Sequence, residues 1–230
     1  MRIRTSLAVC LIYGFSSFSQ ATDPIAELVQ KLEGTLYVIP HRETADGVLT
    51  GCGLEFAALK RDFSTKRGAP VKIAGSFYLR PNPNTGLAYV LKLGVFDGLS
   101  FENGFAPNNA FISAPNGKTP AKAIKTQAEN PGFALFIGGL DSDVTAAYAA
   151  ITEKSQLVVG FNRKPGQQDV TFILDLAVID TQMQNDEVVR KRSNEPVHSF
   201  VACSTDLLNS SKRLIQWRKR HTSTCRIGCD

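Results

Sequence analysis

Apolar residues recur at every second position through much of the chain's first half. Val48, Cys52, Leu54, Phe56 and Ala58 fall on one side of the stretch Gly47 to Leu59. Val71, Ile73, Phe77 and Leu79 do the same in VKIAGSFYLR, as do Leu87, Tyr89, Leu91, Leu93 and Val95 in LAYVLKLGVF. This is the period of a strand with one buried face. STKRGAP and PNPNTG between them supply turn chemistry. AFIS (Ala110 to Ser113) and FALFIG (Phe133 to Gly138) are expected strands either side of a long polar loop, Ala114 to Gly132. QLVVGFN, a RKPGQQ turn and DVTFILDLAVID predict a β-hairpin, and VHSFVAC (Val197 to Cys203) a last strand.

Three stretches carry the helical period instead. In TDPIAELVQKLEG, Asp23 can cap, Pro24 suits the first helical position and Gly34 can end the helix, with Ile25, Leu28, Val29 and Leu32 as its stripe. SDVTAAYAAITEK places Val144, Ala147, Tyr148 and Ile151 on one face, with Ser142 or Asp143 as the expected cap. STDLLNSSKRLIQWRKRH aligns Leu207, Leu208, Leu214 and Ile215. Many short alternating strands with few helices predict a mainly β fold, an antiparallel sandwich or partly closed barrel. Residues 22–180 read as that domain. Residues 181–230 read as a basic extension whose strand and amphipathic helix pack on it.

Residues 1–21 change the cysteine arithmetic. Arg2 and Arg4, the apolar stretch Ser6 to Phe18 and the small-x-small SQA predict a secretory signal cleaved after Ala21, and so a periplasmic or secreted protein with no remaining membrane span. LAVC around Cys10 is a weaker match to a lipidation signal, because Val9 is bulky. Cleavage leaves Cys52, Cys203, Cys225 and Cys229, an even set open to three connectivities in an oxidising compartment. Cys52 alternates in phase with Leu54 and Phe56, and Cys203 with Val197 and Val201. The expected pairs are therefore Cys52–Cys203 and Cys225–Cys229.

Charge gathers at the end of the chain. From Arg190 onward nine Lys and Arg oppose three Asp and Glu, and the preceding body is slightly acidic. Nucleic acid is a poor partner for an exported chain. Lys212, Arg213, Trp217, Arg218, Lys219 and Arg220 form a cationic helix segment suited to an anionic envelope surface, or simply to a solvated face. His221, Cys225 and Cys229, four apart, are a candidate metal or thiol-redox set for Zn or Cu(I), although Gly228 interrupts a shared helical face.

The order GCGLEF, YVLKLGVFDG, a short helix, then QLVVGFNRKPGQQDVTFILDLAVID resembles the layout of invasion-associated locus B proteins. Those are exported bacterial β-sandwich proteins linked to host-cell entry. The resemblance spans roughly Gly51 to Asp180 and implies a sandwich and an extracytoplasmic setting. The paired cysteines that the family carries before its closing helix have no counterpart in FIGGLDSD, so no residue takes a role from it.

Catalytic signatures are missing from the sequence. It contains no G-x-S-x-G, no S-x-x-K, no H-E-x-x-H and no phosphate-cradling glycine loop, so no cofactor is implied. Cys52 with His41 or His198 is a thinner catalytic reading than a disulfide. Asp141 and Asp143 read as helix caps rather than a carboxylate pair or calcium loop, and the side of Asp175 is open. The expectation is a non-enzymatic binding or scaffold protein of the envelope, meeting an unknown protein or envelope component through loops Arg80 to Gly86, Asn103 to Asn109 and Ala114 to Gly132 and through its basic tail. The alternatives are a metal-binding or thiol-redox protein, and then a hydrolase built from scattered Asp, Ser and His.

Overall fold

The computed structural model describes residues 24–82, 86–100, 102, 104–115 and 123–224, with side chains as far as Ser210 in the last helix. Helix α1 (Pro24–Leu32) leads into β1 (Gly34–Ala45), β2 (Val48–Asp62), β3 (Ala69–Asn82), β4 (Gly86–Asp97), β5 (Gly104–Phe105), β6 (Asn109–Ser113), β7 (Ile124–Gln127) and β8 (Phe133–Gly139). Then come α2 (Ser142–Lys154), β9 (Gln156–Asn162), β10 (Val170–Asp175), β11 (Val178–Gln184), β12 (Glu187–Arg192) and α3 (Glu195–Thr224). All pairing among the described residues is antiparallel. The large sheet runs β1-β2-β3-β4-β8-β7 with β5 beside β4, a smaller one runs β10-β9-β6, and β11-β12 is a separate hairpin. Among the described residues no barrel closes: the mainly β, sandwich-like architecture expected from the alternation is the one observed.

The core lies between the two sheets. Cys52, Leu54, Phe56 and Ala58 of β2, Val71, Ile73, Phe77 and Leu79 of β3, and Leu87 to Val95 of β4 at alternate positions are all buried, as the alternation predicts. Val48, assigned to the same side, is exposed, because it follows directly on the β1–β2 turn. Ile112 of β6, Val159 and Phe161 of β9, and Leu174 of β10 meet that face in one continuous core. Each large apolar side chain buried this way contributes roughly 1.5–3 kcal/mol before entropy is charged against it.

Val197 to Cys203 is helix, not strand. It forms the buried start of α3, a helix of 30 residues, about 45 Å long at 1.5 Å per residue. Val197, Phe200, Cys203 and Leu207 recur at helical spacing and are buried. Phe200 meets Phe77 with ring centroids 5.8 Å apart. The helix opens where Ser193 Oγ accepts from the Glu195 amide at 3.1 Å and Pro196 occupies the first turn. Cys203 is nonetheless bonded to Cys52, with sulfurs 2.05 Å and Cα atoms 5.7 Å apart. The expected partner is therefore right although its secondary structure was not.

Two hairpins form where the hydrophobic pattern assigns no strand pairing. Gly34–Ala45 has no clean alternation and contains Pro40, yet it pairs with β2 from Val48 to Leu59 through a tight turn at Asp46 and Gly47, both at positive φ. β1 is an edge strand, where proline is tolerated. DVTFILDLAVID breaks after Asp175. Its second half joins the polar stretch beyond it in the β11–β12 hairpin, turned by Asn185 and Asp186 at φ 51 and 63. This hairpin fastens the N-terminal segment. Arg190 Nη2 donates to the carbonyls of Lys31, Leu32 and Glu33 at 3.4, 3.2 and 3.0 Å, satisfying groups that the end of α1 leaves open. Of the residues expected to cap α2, Asp141 does so, accepting from the Asp143 and Val144 amides.

A buried ionic clasp closes one end of the sandwich. Asp62 is fully buried; it accepts from the Thr65 amide at 2.9 Å and the Thr65 hydroxyl at 2.6 Å, and from Arg163 Nε at 3.1 Å. Arg163 also donates to Asp97 at 2.8 Å and lies 4.4 Å from the Phe105 ring centroid. Burial alone would raise the Asp62 and Asp97 carboxyls, but these bonds, together with the Lys66 ammonium 2.8 Å from Asp97, outweigh it and hold both below the usual carboxylate range. Glu33, bonded by Lys60 and Arg61, behaves alike.

Two outcomes are expected. Reduction, or a Cys203→Ser variant, releases a 151-residue loop and lowers stability by up to about 5 kcal/mol on the loop-entropy model. An unchanged guanidinium midpoint under reductant would contradict this. Asp62→Asn leaves Arg163 poorly paired and costs about 3 kcal/mol. Because the native carboxyls titrate below their unfolded values, the unfolded chain takes up protons first as pH falls. Stability is then fully present above about pH 4–5 and is lost as pH falls below the unfolded values and through the lower native ones. Thermal melts from pH 7 to 3 should show that decline in the wild type and a shallower one in the variant.

Candidate functional site

With one face of the large sheet given to the core, the alternate residues of β1 to β4 stand on the other. The register decides which of them stand in line. One row runs His41, Gly53, Tyr78, Val90, Ile137 and Ile124 across six strands. The next runs Ile39, Glu55, Ser76, Lys92, Leu135 and Thr126, and a third Tyr37, Ala57, Ala74, Gly94 and Phe133. Side chains directly opposite in such rows lie about 5 Å apart at Cβ. Small residues hold the middle positions and large ones the flanks, so the sheet surface is hollowed into a trough of about 340 Å³. Tyr37 and Glu55 line one side, Lys92, Leu135 and Phe133 the other, and Tyr78, Arg80 and Glu43 one end.

Two rings form fixed tiles in this trough. A Cβ on Gly53 would stand 2.5 Å from the Tyr78 ring, and one on Gly94 would stand 2.8 Å from the Phe133 ring. Each aromatic therefore lies against the bare backbone of its cross-strand glycine. The absence of a side chain on the glycine is what lets the ring lie down.

The charged groups are paired or braced. Arg80 Nη2 donates to both Glu43 carboxylate oxygens, at 2.8 and 2.6 Å, bridging over Gly51. Its guanidinium carbon is 5.6 Å from the Tyr78 ring centroid. Lys92 Nζ donates to Asn130 Oδ1 at 2.6 Å and stands 5.1 Å from the Phe133 centroid. His41 Nε2 is 3.1 Å from Glu55 Oε2 but out of line for a hydrogen bond, so that contact is one of charge, made when the imidazole is protonated. Burial, and after it the Glu55 charge, pushes the Tyr37 phenol up; burial, then Glu43 and Glu55, does the same for Tyr78. Both phenols keep their protons at neutral pH and serve as donors. The trough thus presents carboxylate acceptors, phenol, ammonium and guanidinium donors, a serine hydroxyl and two ring faces together.

Residues singled out from the sequence fall elsewhere. Cys52 and Cys203 are joined in the core. His41 lies on the opposite face of the sheet from Cys52, whose register partner is Arg42, and His198 is exposed on α3. Asp175 forms a two-bond pair with Arg192 at 2.6 and 3.1 Å. Cys225 and Cys229 lie outside the described residues, as do residues 1–21 and the side chains of Lys212, Arg213, Trp217, Arg218, Lys219, Arg220 and His221. Among the described residues no group of three His, Cys, Asp or Glu can hold a metal ion, and no helix is long and apolar enough to cross a membrane. Of the three loops expected to carry contacts, Arg80 to Gly86 begins within β3, where Arg80 lines the trough, and Ala114 to Gly132 touches it only through the Asn130 bond to Lys92. Tyr37, Glu55, Ser76, Tyr78 and Lys92 were not foreseen. The signal for them is the run of Gly, Ala and Ser at the non-core positions of β2 and β3.

Gly53→Ala should force the Tyr78 ring off the sheet, costing about 1–2 kcal/mol and removing the tile. A variant with unchanged melting and an unmoved Tyr78 resonance would show that the ring does not depend on the glycine.

Comparison with known proteins finds no match: no family model, no curated protein and no solved structure matches this chain.

Proposed function

We propose that this chain is an exported binding module whose ligand seat is the open face of its large sheet. The observation that carries the reading is the trough, where donors, acceptors and ring faces converge on a rigid sheet rather than on mobile loops. Larger hollows of about 780 Å³ beside α1 and about 610 Å³ beside β10 lie between elements; the trough is set into a single paired surface. Export is supported by the signal-like residues 1–21 and by the Cys52–Cys203 bond, which persists in oxidising compartments. The order of elements that resembles invasion-associated locus B proteins supports the same setting.

The test is fractionation of cells expressing the full chain, followed by non-reducing peptide mapping. The expected product begins after Ala21, carries the Cys52–Cys203 bond and is retained by the envelope. A Ser76→Trp variant, which fills the trough from an exposed face, should melt like the wild type and be lost from that fraction. An intact residue 1–21 segment with free Cys52 and Cys203 would sink the export reading. Equal retention of the two proteins would sink the trough as the seat.

A further inference from the structure

We propose, resting on the binding-module reading above, that the trough takes a neutral saccharide, with one face of a sugar ring laid on Tyr78 and its hydroxyls shared among Glu55, Ser76 and Lys92. Charge is the first argument. Glu43 and Glu55 oppose Arg80 and Lys92, and Arg80 is already engaged with both oxygens of Glu43. An anion or a cation entering here meets a like charge close to each opposite one, so the balanced lining selects no ion of either sign.

Hydrogen-bond capacity is the second. Carboxylates only accept, ammonium and guanidinium only donate, and Ser76, Tyr37 and Tyr78 do both. A hydroxyl is itself donor and acceptor, so a polyol meets every one of these groups in turn. An acyl chain would strip water from them and return nothing.

Surface shape is the third. Tyr78 and Phe133 lie flat because Gly53 and Gly94 leave them room, and both rings line the trough, with Arg80 and Lys92 standing 5.6 and 5.1 Å from their centroids. The face of an aromatic ring is the negative side of its quadrupole, which suits the C–H face of a pyranose. About 340 Å³ sits at the small end of ligand seats, enough for a short saccharide segment. The sheet face continues past it over Ile137 and Ile124, so a longer chain has room to run on.

Isothermal titration of the mature chain with chitotetraose and cellotetraose tests this, alongside a heparin tetrasaccharide as anionic probe and decanoate as acyl probe. Saturable binding of a neutral probe is expected, weakened about tenfold in Tyr78→Ala and in Glu55→Gln and changed by no more than about threefold in Tyr78→Phe. Because Tyr78→Ala uncovers Gly53 and can loosen the fold, Glu55→Gln decides the case if melting falls. Three results overturn the proposal: no neutral probe binds at millimolar concentration, only heparin or decanoate binds, or neutral binding persists unchanged in both variants. If envelope retention still depends on Ser76 while no neutral saccharide binds, the ligand class falls and the binding module stands.

Discussion

Everything outside the core is positioned by the clamp between α3 and the inner face of the large sheet. Phe200 packs on Phe77, Cys203 is bonded to Cys52, and Leu207 is buried one turn further on. A strand alternates its side chains, so committing Cys52, Leu54 and Phe56 to that contact commits Gly51, Gly53 and Glu55 to the other side. A slip of one residue in β2 would bury Glu55 and expose Phe56. The disulfide is the covalent form of that register: it joins a strand residue to a helix residue 151 positions away and forbids the alternative pairing.

A second constraint acts within the sheets. Glycines face an aromatic residue directly across the ladder at several places, among them Gly53 and Tyr78, Gly94 and Phe133, Gly104 and Phe96, and Gly160 and Phe111. In each of these pairs, a Cβ would come within 2.8 Å of the ring. Glycine weakens a strand, and a flat aromatic neighbour restores cover to the exposed backbone. Gly104–Phe96 and Gly160–Phe111 also stand on faces turned away from the core, where the rings are nevertheless covered, Phe96 to 5% and Phe111 to 8% exposure. On the open face the same device makes a depression with level, rigid surfaces, so the candidate site is a consequence of how the sheet is covered.

This explains what the residue order could reveal. The buried faces of β2, β3 and β4 were legible because alternation over many residues has one interpretation. VHSFVAC was misread because it satisfies two periods: Val197, Ser199, Val201 and Cys203 alternate, while Val197, Phe200, Ser204 and Leu207 fit a helix. The deciding signals were local, Ser193 and Pro196 at the helix start. β1 was hidden by Pro40 and its broken pattern, although Asp46–Gly47 is a strong hairpin turn. β11 and β12 are half-exposed on both faces and carry little apolar signal at all. The trough was illegible for a deeper reason. Tyr37, Glu55, Ser76 and Lys92 each read as ordinary solvent-facing residues, and only the registers of three strand pairs bring them into one place.

The division between the two ends of the molecule bears on how the site works. The Asp62–Arg163–Asp97 clasp closes one end of the sandwich with Asp62 fully buried, and losing Arg163 strands the Asp62 charge away from water. The trough residues are half-exposed, and their ion pairs, such as Glu43 with Arg80, are of the surface kind that contribute little to stability. Residues that neither fill the core nor close the clasp are still held in place, by flat rings on glycine and by a fixed register. Fixed side chains that the fold does not need for its stability are what a preformed binding surface requires, since ordering them beforehand removes an entropic cost from association.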